Sequence, residues 1–487
     1  MELKKTARID LLKERMLSQP RYVSMEQAMI ITRAYQRHEE EPVILKRAYA
    51  LHDALCELEI GIEPQELIVG NRTKGVRYGV VFPESGISWV DQELETLPTR
   101  PQDKFLVRPE DVQTFREVIK PYWKGKSLED VLKKRYGKEI SALSTVVKIN
   151  QKDHAQGHIC PNVREWLEKG PAGLKEEAQQ HLLDCKEEQR PFYESILLVM
   201  DGVCRFLMRY HDELQKEAKQ HPDWKQDMIE TAEICKALAE RPAETFHEAV
   251  QSMWILFVVL HMESNASSFS PGRLDEILYP YYRKDRELGR LDAQRALDII
   301  ECLWLKFNQI VYLRNKNSAK YFAGFPIGFN IAVGGQDVHG EDVCNELSFL
   351  FLLAQEHIGL PQPNLSVRLH RGTGDALLKK AVRVVAKGSG MPQFFNDEAI
   401  IAELEKLGIS HQDAMDYAIV GCVELTTQGN NLGWSDAAMF NLNKVLELTL
   451  HHGRCLLTNQ QLGPDLGGLD TYESYEELES AFDAMID

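Results

Sequence analysis

Cys422 and Glu424 are the residues of this chain whose types and spacing point most directly to chemistry. They lie in Gly421-Cys422-Val423-Glu424, directly after the apolar run Tyr417-Ala-Ile-Val420. In a strand, side chains two positions apart share a face, so the thiol and the carboxylate are expected to face one cavity. That pairs a sulfur centre with a carboxylate general base. A cysteine on its own is more often a small buried apolar residue. What shifts the balance is the setting, Asp416–Glu424 followed by Gly429-Asn-Asn-Leu-Gly-Trp-Ser-Asp436.

Other chemically suggestive groupings fail on spacing. Gly125-Lys126-Ser127 resembles the end of a phosphate-binding loop, but Ile119, Lys120 and Pro121 stand where the leading glycine is required. His154, His158 and Cys160 are close enough to suggest a metal site. Gly157 and Pro161 break any helix that would align them, and no paired acidic motif accompanies them. His451, His452 and Cys455 read as a helix end, so no metal is expected. The sequons at Asn265 and Asn364 carry no weight in a chain expected to be cytosolic.

The elements that must position Cys422 and Glu424 belong to a chain of 487 residues with a formal charge of −17. Such a charge repels phosphate backbones and anionic membranes, which argues against nucleic-acid or membrane partners. Apolar residues at 44% and charged ones at 27% are ordinary globular values and set disorder aside. The 9 cysteines are scattered and none forms a CxxC pair, a pattern that fits a reducing cytoplasm. The N-terminus lacks the apolar core of a signal peptide. The longest apolar run, Met253 to Leu260, is far short of the ~20 residues of a membrane span and reads as a buried helix.

Periodicity predicts a helical first part. Ser24-Met-Glu-Gln27 has capping-box spacing, and Ile44, Ala48, Leu51, Leu55 and Leu58 form one apolar stripe. A short strand is expected at Leu67–Val69, and further helices at 126–136, 161–218 with breaks, 225–262 and 291–313. From about residue 320 the pattern changes. Ile327, Phe329, Ile331 and Val333 alternate, as do Leu365, Val367 and Leu369, and Tyr417–Val420 is a third candidate strand. Helices at 338–356 and 374–388 separate them, and another built on Leu442 to Leu450 stops at Gly453. Strands divided by long helices indicate an α/β architecture.

Taken with its other motifs, the sequence resembles the glycyl radical enzymes of the pyruvate formate-lyase superfamily, and within them the diol (glycerol/propanediol) dehydratase-like branch. The resemblance rests on Glu66–Arg72, Pro98–Pro101, Gly157-His158, Glu263-Ser-Asn265, Gly272-Arg273, Tyr321–Pro326, Gln362-Pro-Asn364, Asn396–Glu398 and the Gly-Cys-Val-Glu loop, and covers the whole of 1–487. Pyruvate formate-lyase proper has two adjacent cysteines at the loop, whereas Gly421 precedes Cys422 here. Acetyl transfer to coenzyme A is therefore disfavoured.

The resemblance implies a ten-stranded α/β barrel of two five-stranded halves, with extensive surrounding helices and the cysteine loop at its centre. The helical part would run to about 320 and the barrel strands with the cysteine loop from about 320 to 455. It implies a lyase: a radical dehydratase acting on a small hydroxylated substrate, with no bound cofactor beyond a glycyl radical. An activating enzyme using S-adenosylmethionine and an iron–sulfur cluster would install that radical, and the enzyme would be a homodimer. By the family pattern Cys422 is the thiyl residue and Glu424 the base. His158 binds and protonates a departing hydroxyl, and Asp436, fourteen positions after the cysteine, binds a hydroxyl.

There are two departures. Where glycerol dehydratase carries a His-Ser pair for substrate hydroxyls, this chain has Ser267-Ser268, which counts against glycerol itself; the pair also suits a plain loop cap. The stretch from Thr458 to Asp487 has no Arg-Val-x-Gly-aromatic signature, so the C-terminal glycine radical domain is expected to be absent and the barrel incomplete. Two other readings stay open: a radical C–N or C–S lyase on the same scaffold, and a radical-incompetent fragment or subunit.

Overall fold

The computed structural model describes residues 3–144, 147–149, 157–322, 328–432 and 438–487. Helices dominate its first part. In Val43–Glu57 the expected stripe is buried at Ala48, Leu51 and Leu55, with Leu58 just beyond the helix, while Ile44 stays exposed. The expected helix at 225–262 is two helices, Lys225–Glu240 and Phe246–Glu263, separated around Pro242. Thr245 and Glu248 form a capping box at the start of the second, which contains the long apolar run. Among the described residues no helix is long and apolar enough to cross a membrane.

Two local expectations give way to other contacts. Ser24 does not cap a helix: the helix runs over Glu26–Arg37 with Met25 at its N-cap, and Val23–Ser24 pairs instead with Gly79–Val80. Leu67–Val69 is buried but is not a strand. The Gln251 amide donates to the Val69 carbonyl and accepts from its N–H, both at 2.8 Å, and Trp254 Nε1 donates to the Gly70 carbonyl at 2.9 Å. These helix side chains satisfy the backbone as a neighbouring strand would.

The sheet that carries the site is parallel, in the order β1 (Asn330–Gly334), β2 (Asn364–Leu369) and β3 (Gln393–Asn396). Glu346–Ile358 and Asp375–Val384 make the crossovers that parallel strands require. All five residues of β1 are buried, so its alternation separates two covered faces rather than core from solvent. β3 has no long apolar run to announce it. It is a four-residue strand at one end of the sheet order, and its last residue, Asn396, caps the helix Asp397–Lys406. The third candidate strand is β4 (Ala418–Val420), which turns at 421–423 and returns as β5 (Glu424–Thr426), antiparallel, with Val420 opposite Glu424. Val147–Ile149 pairs with Ala438–Phe440 and ties the two parts of the chain together.

The base of this hairpin is held by buried charge. The Arg368 guanidinium on β2 forms a two-point ion pair with Asp397, Nε to Oδ1 and a terminal nitrogen to Oδ2, both at 2.9 Å, and both side chains are 0% exposed. The same guanidinium donates to the carbonyls of Met415 and Tyr417, each at 2.9 Å, and lies 3.9 Å over the Tyr417 ring. Tyr417 Oη donates to Asp397 at 2.7 Å. On the other side Arg273, almost wholly buried, donates to Asp416 at 2.9 Å and to the Gln336 carbonyl at 3.0 Å.

Removing one member of such a pair leaves an uncompensated buried charge. Asp397→Ala should lower unfolding free energy by about 3–5 kcal/mol, read as a drop in the urea midpoint. A loss below about 1 kcal/mol would mean that Arg368 finds water or another partner.

Candidate active site

The hairpin between β4 and β5 ends in the turn Gly421-Cys422-Val423, so Cys422 is not two places along a strand from Glu424 as expected. It stands at the tip with its side chain exposed, and Glu424 begins the return strand. The reason lies at Gly421. Its φ of +58° belongs to the left-handed region that reverses the chain, and a Cβ there would lie 2.9 Å from Ser268 Oγ and 3.3 Å from His158 Cε1. The Gly421 N–H donates to Ser270 Oγ at 3.2 Å. Its carbonyl accepts from Asn330 Nδ2 at 2.9 Å and Asn364 Nδ2 at 2.8 Å.

His158 and Glu424, 266 residues apart, are brought into direct contact, Nδ1 to Oε2 at 2.8 Å. Both side chains are nearly buried, at 9% and 11% exposure. With a proton on Nδ1 the ring donates and the Glu424 carboxylate accepts. The contact depends on the approach of two loops. The His158 N–H donates to the Ser267 carbonyl at 2.9 Å, and His158 itself has φ +60°. A Cβ on Gly157 would lie 1.8 Å from that same carbonyl oxygen, so only glycine lets the loops come this close. The Ser270 N–H donates to the Ile159 carbonyl at 3.0 Å, and the Gly429 N–H to the Cys160 carbonyl at 2.8 Å. Residues 157–160 are thus held between 267–270 and the segment leaving the hairpin.

Of the other expected site residues, Ser268 is buried in a left-handed conformation with φ +62°, and its hydroxyl lies against Gly328 and Gly421. Ser267 contributes its carbonyl to His158. Asp436 lies outside the described residues, as do His154, Phe325 and Trp434. Cys160 is buried, and burial raises its thiol pKa, which keeps it a neutral thiol rather than a ready metal ligand. Among the described residues no group of three His, Cys, Asp or Glu side chains could hold a metal ion.

Reading the sequence alone missed Asn330, Ser270 and Gln428, and gave Asn364 no role. Gln428 accepts from the Arg273 N–H and donates to the Asp416 carbonyl, both at 3.1 Å, joining the hairpin's exit to its base. A signal was present for the two asparagines. Each opens a strand marked by apolar alternation, and a polar side chain buried in such a strand needs a partner.

Known proteins resemble this chain over most of its length. The pyruvate formate lyase-like family profile matches residues 3–487. The (2S)-3-sulfopropanediol dehydratase of Klebsiella oxytoca is 30% identical over 498 residues, covering 99% of this chain and 60% of that protein. The isethionate sulfite-lyase of Oleidesulfovibrio alaskensis is also 30% identical, over 94% of this chain and 58% of that protein. Among solved structures, the glycerol-bound B12-independent glycerol dehydratase of Clostridium butyricum superposes with a TM-score of 0.95 at 33% identity, covering 100% of this chain and 62% of that one. The fold is therefore the glycyl radical enzyme fold, and the chain spans about 60% of the length of these relatives.

The Gly157 contact is directly testable. Gly157→Ala drives a methyl group into the Ser267 backbone and should destabilise the protein by about 1–3 kcal/mol, measured by urea denaturation. An unchanged midpoint would show that the two loops separate without cost.

Proposed function

We infer the activity from one premise: the chain belongs to the pyruvate formate lyase-like family. The reading is a lyase that removes water from a small hydroxylated substrate by radical chemistry. The observation that carries it is the 2.8 Å contact between His158 and Glu424 beside the Cys422 turn.

When present, a glycyl radical supplies the hydrogen-atom abstraction that converts the Cys422 thiol to a thiyl. This chain spans about 60% of the length of its relatives, and we propose that the radical glycine belongs to the part of such a protein outside these 487 residues. We propose a radical S-adenosylmethionine activating enzyme as the partner that generates it, and a homodimer as the working assembly. All nine cysteines are free thiols, which supports a reducing, cytoplasmic setting.

The work of this chain's own residues follows from their positions. Cys422 sulfur takes a hydrogen atom from the carbon that bears a substrate hydroxyl. Glu424 accepts that hydroxyl's proton, which strengthens expulsion of the neighbouring group. His158 gives a proton to the departing hydroxyl, which leaves as water, and the product radical takes the hydrogen atom back from the Cys422 thiol. Glu424 gains one proton as His158 loses one. The pair ends the reaction with the proton count it began with. Ser267, Ser268 and Asp436 are proposed to bind the substrate's hydroxyl groups.

The paired acid and base favour loss of hydroxyl over loss of sulfite. Hydroxide is a poor leaving group without a proton, whereas sulfite departs as a stable anion and has no need of a general acid. The test is anaerobic activation with S-adenosylmethionine, an activating enzyme and a separately expressed glycine-bearing segment, offering 1,2-propanediol, glycerol and isethionate in parallel. Aldehyde formed from 1,2-propanediol or glycerol supports the reading; sulfite and acetaldehyde from isethionate, with no aldehyde from either polyol, overturn it.

Two variants test the roles under the same conditions. Cys422→Ser should abolish turnover with the fold intact, since a hydroxyl of nearly equal size forms no comparable hydrogen-abstracting radical. Measurable turnover in that variant removes Cys422 from the reaction. Glu424→Gln should retain substrate binding and lose about 10²- to 10⁴-fold in rate, the usual contribution of a general base. A near-normal rate would make Glu424 structural.

A further inference from the structure

Asn330 and Asn364 stand opposite one another at the starts of β1 and β2. Neighbouring buried amides in this register have an obvious alternative, which is to bond across the strand pair. Here both instead point away to a third segment, and their Nδ2 groups converge on the single carbonyl of Gly421 at 2.9 and 2.8 Å. Each amide is oriented from behind. Ser366 Oγ donates to Asn330 Oδ1 at 2.9 Å, and Gln362 Nε2 donates to Asn364 Oδ1 at 3.4 Å. With its oxygen occupied as acceptor, each amide is left presenting N–H toward the turn.

We propose that Asn330 and Asn364 are positioning residues for the Cys422 sulfur, acting through the Gly421 peptide. This rests on the reading of Cys422 as the sulfur centre. The peptide unit is planar, so fixing the Gly421 carbonyl also fixes the direction in which the chain enters Cys422. The preceding peptide is fixed separately, because the Gly421 N–H donates to Ser270 Oγ, which also accepts from the Asn330 N–H at 3.2 Å. Both planes flanking the Gly421 Cα are therefore held, and its left-handed conformation has no freedom to relax. On the far side of the turn, strand pairing and the His158 contact hold Glu424. Between these supports only the Cys422 and Val423 side chains of the turn are exposed.

Two donors on one acceptor also predict a pattern that a single support would not show. Deleting either amide leaves the carbonyl hydrogen-bonded by the other. Deleting both removes both side-chain donors and incurs the larger cost of a buried unsatisfied group.

The experiment compares Asn330→Leu, Asn364→Leu and the double variant, with the smaller Asn330→Ser and Asn364→Ser in reserve should a leucine variant not fold. Amide hydrogen exchange over residues 419–426 is measured by mass spectrometry, together with the rate of Cys422 alkylation by iodoacetamide. Each single variant is expected to accelerate exchange in the hairpin by about two- to tenfold, the worth of one net hydrogen bond. The double variant should exceed the product of the two, and the Cys422 alkylation rate should change while buried Cys160 and Cys235 stay protected. Exchange in the double variant equal to that of the unsubstituted protein overturns the proposal. So does alkylation of Cys160 and Cys235 in step with Cys422, which would mark the asparagines as general structural supports. No turnover is needed for these measurements, so they stand or fall separately from the activity of Cys422.

Discussion

The ion pair of Arg368 with Asp397 is the constraint on which the rest of the site depends. Two full charges at 0% exposure are tolerable only if geometry and hydrogen bonding compensate the lost hydration. Both conditions hold. The guanidinium gives two bonds to the carboxylate and two to the carbonyls of Met415 and Tyr417, and the carboxylate also accepts from Tyr417 Oη and the Gln336 N–H. A pair this specific allows one placement of 415–417 against β2. It therefore sets where β4 begins and how far its turn reaches.

β2 shows how one strand performs several positioning tasks. Asn364, Ser366 and Arg368 are two apart and so lie on one face, while Leu365, Val367 and Leu369 lie on the other. The apolar face is covered by crossover helices. The polar face is also buried, and every member is engaged: Asn364 with the turn, Ser366 with Asn330, Arg368 with the hairpin base. At equivalent positions β1 places Asn330 beside Asn364 but Ala332 and Gly334 beside Ser366 and Arg368. Those small residues leave room for the hairpin, and Ala332 packs with Tyr417 and Ile419.

The alternation of Leu365, Val367 and Leu369 was legible in the sequence, and so was the strand. What alternation does not disclose is that the intervening Asn, Ser and Arg face a protein interior rather than solvent. Period two reports that the faces differ, not what covers each one. The same limit applies to the site. The strand-and-glycine pattern at 417–424 singled out Cys422 and Glu424, yet a three-residue turn and a continuing strand share that pattern. Which occurs is decided by contacts from Ser268, Ser270 and the two asparagines, none of them near in sequence. Leu67–Val69 fails for a related reason, since the backbone of Val69 and the following Gly70 is bonded by the side chains of Gln251 and Trp254, and no local rule anticipates them. His158 with Glu424 is the extreme case, because neither residue has a local pattern that names the other. The resemblance to known enzymes brought them together, and the structure supplies the contact.

The hairpin also explains why a thiol can be held accurately while remaining exposed. Most side chains are positioned by burial, and a sulfur buried on all sides would reach no substrate. Here the constraint is moved from the side chain to the backbone on either side of it. Gly421 is held through both of its peptide planes, Glu424 through strand pairing and His158, and the segment before β4 through two buried arginines. A reacting atom displaced by about 1 Å loses on the order of 10²-fold in rate, so backbone support of this density is proportionate to the hydrogen-atom transfer proposed for Cys422. A turn of three residues suits that purpose better than a longer loop. Each added residue brings two more soft dihedrals between the supports and the sulfur, and each would need its own hydrogen bond to suppress it.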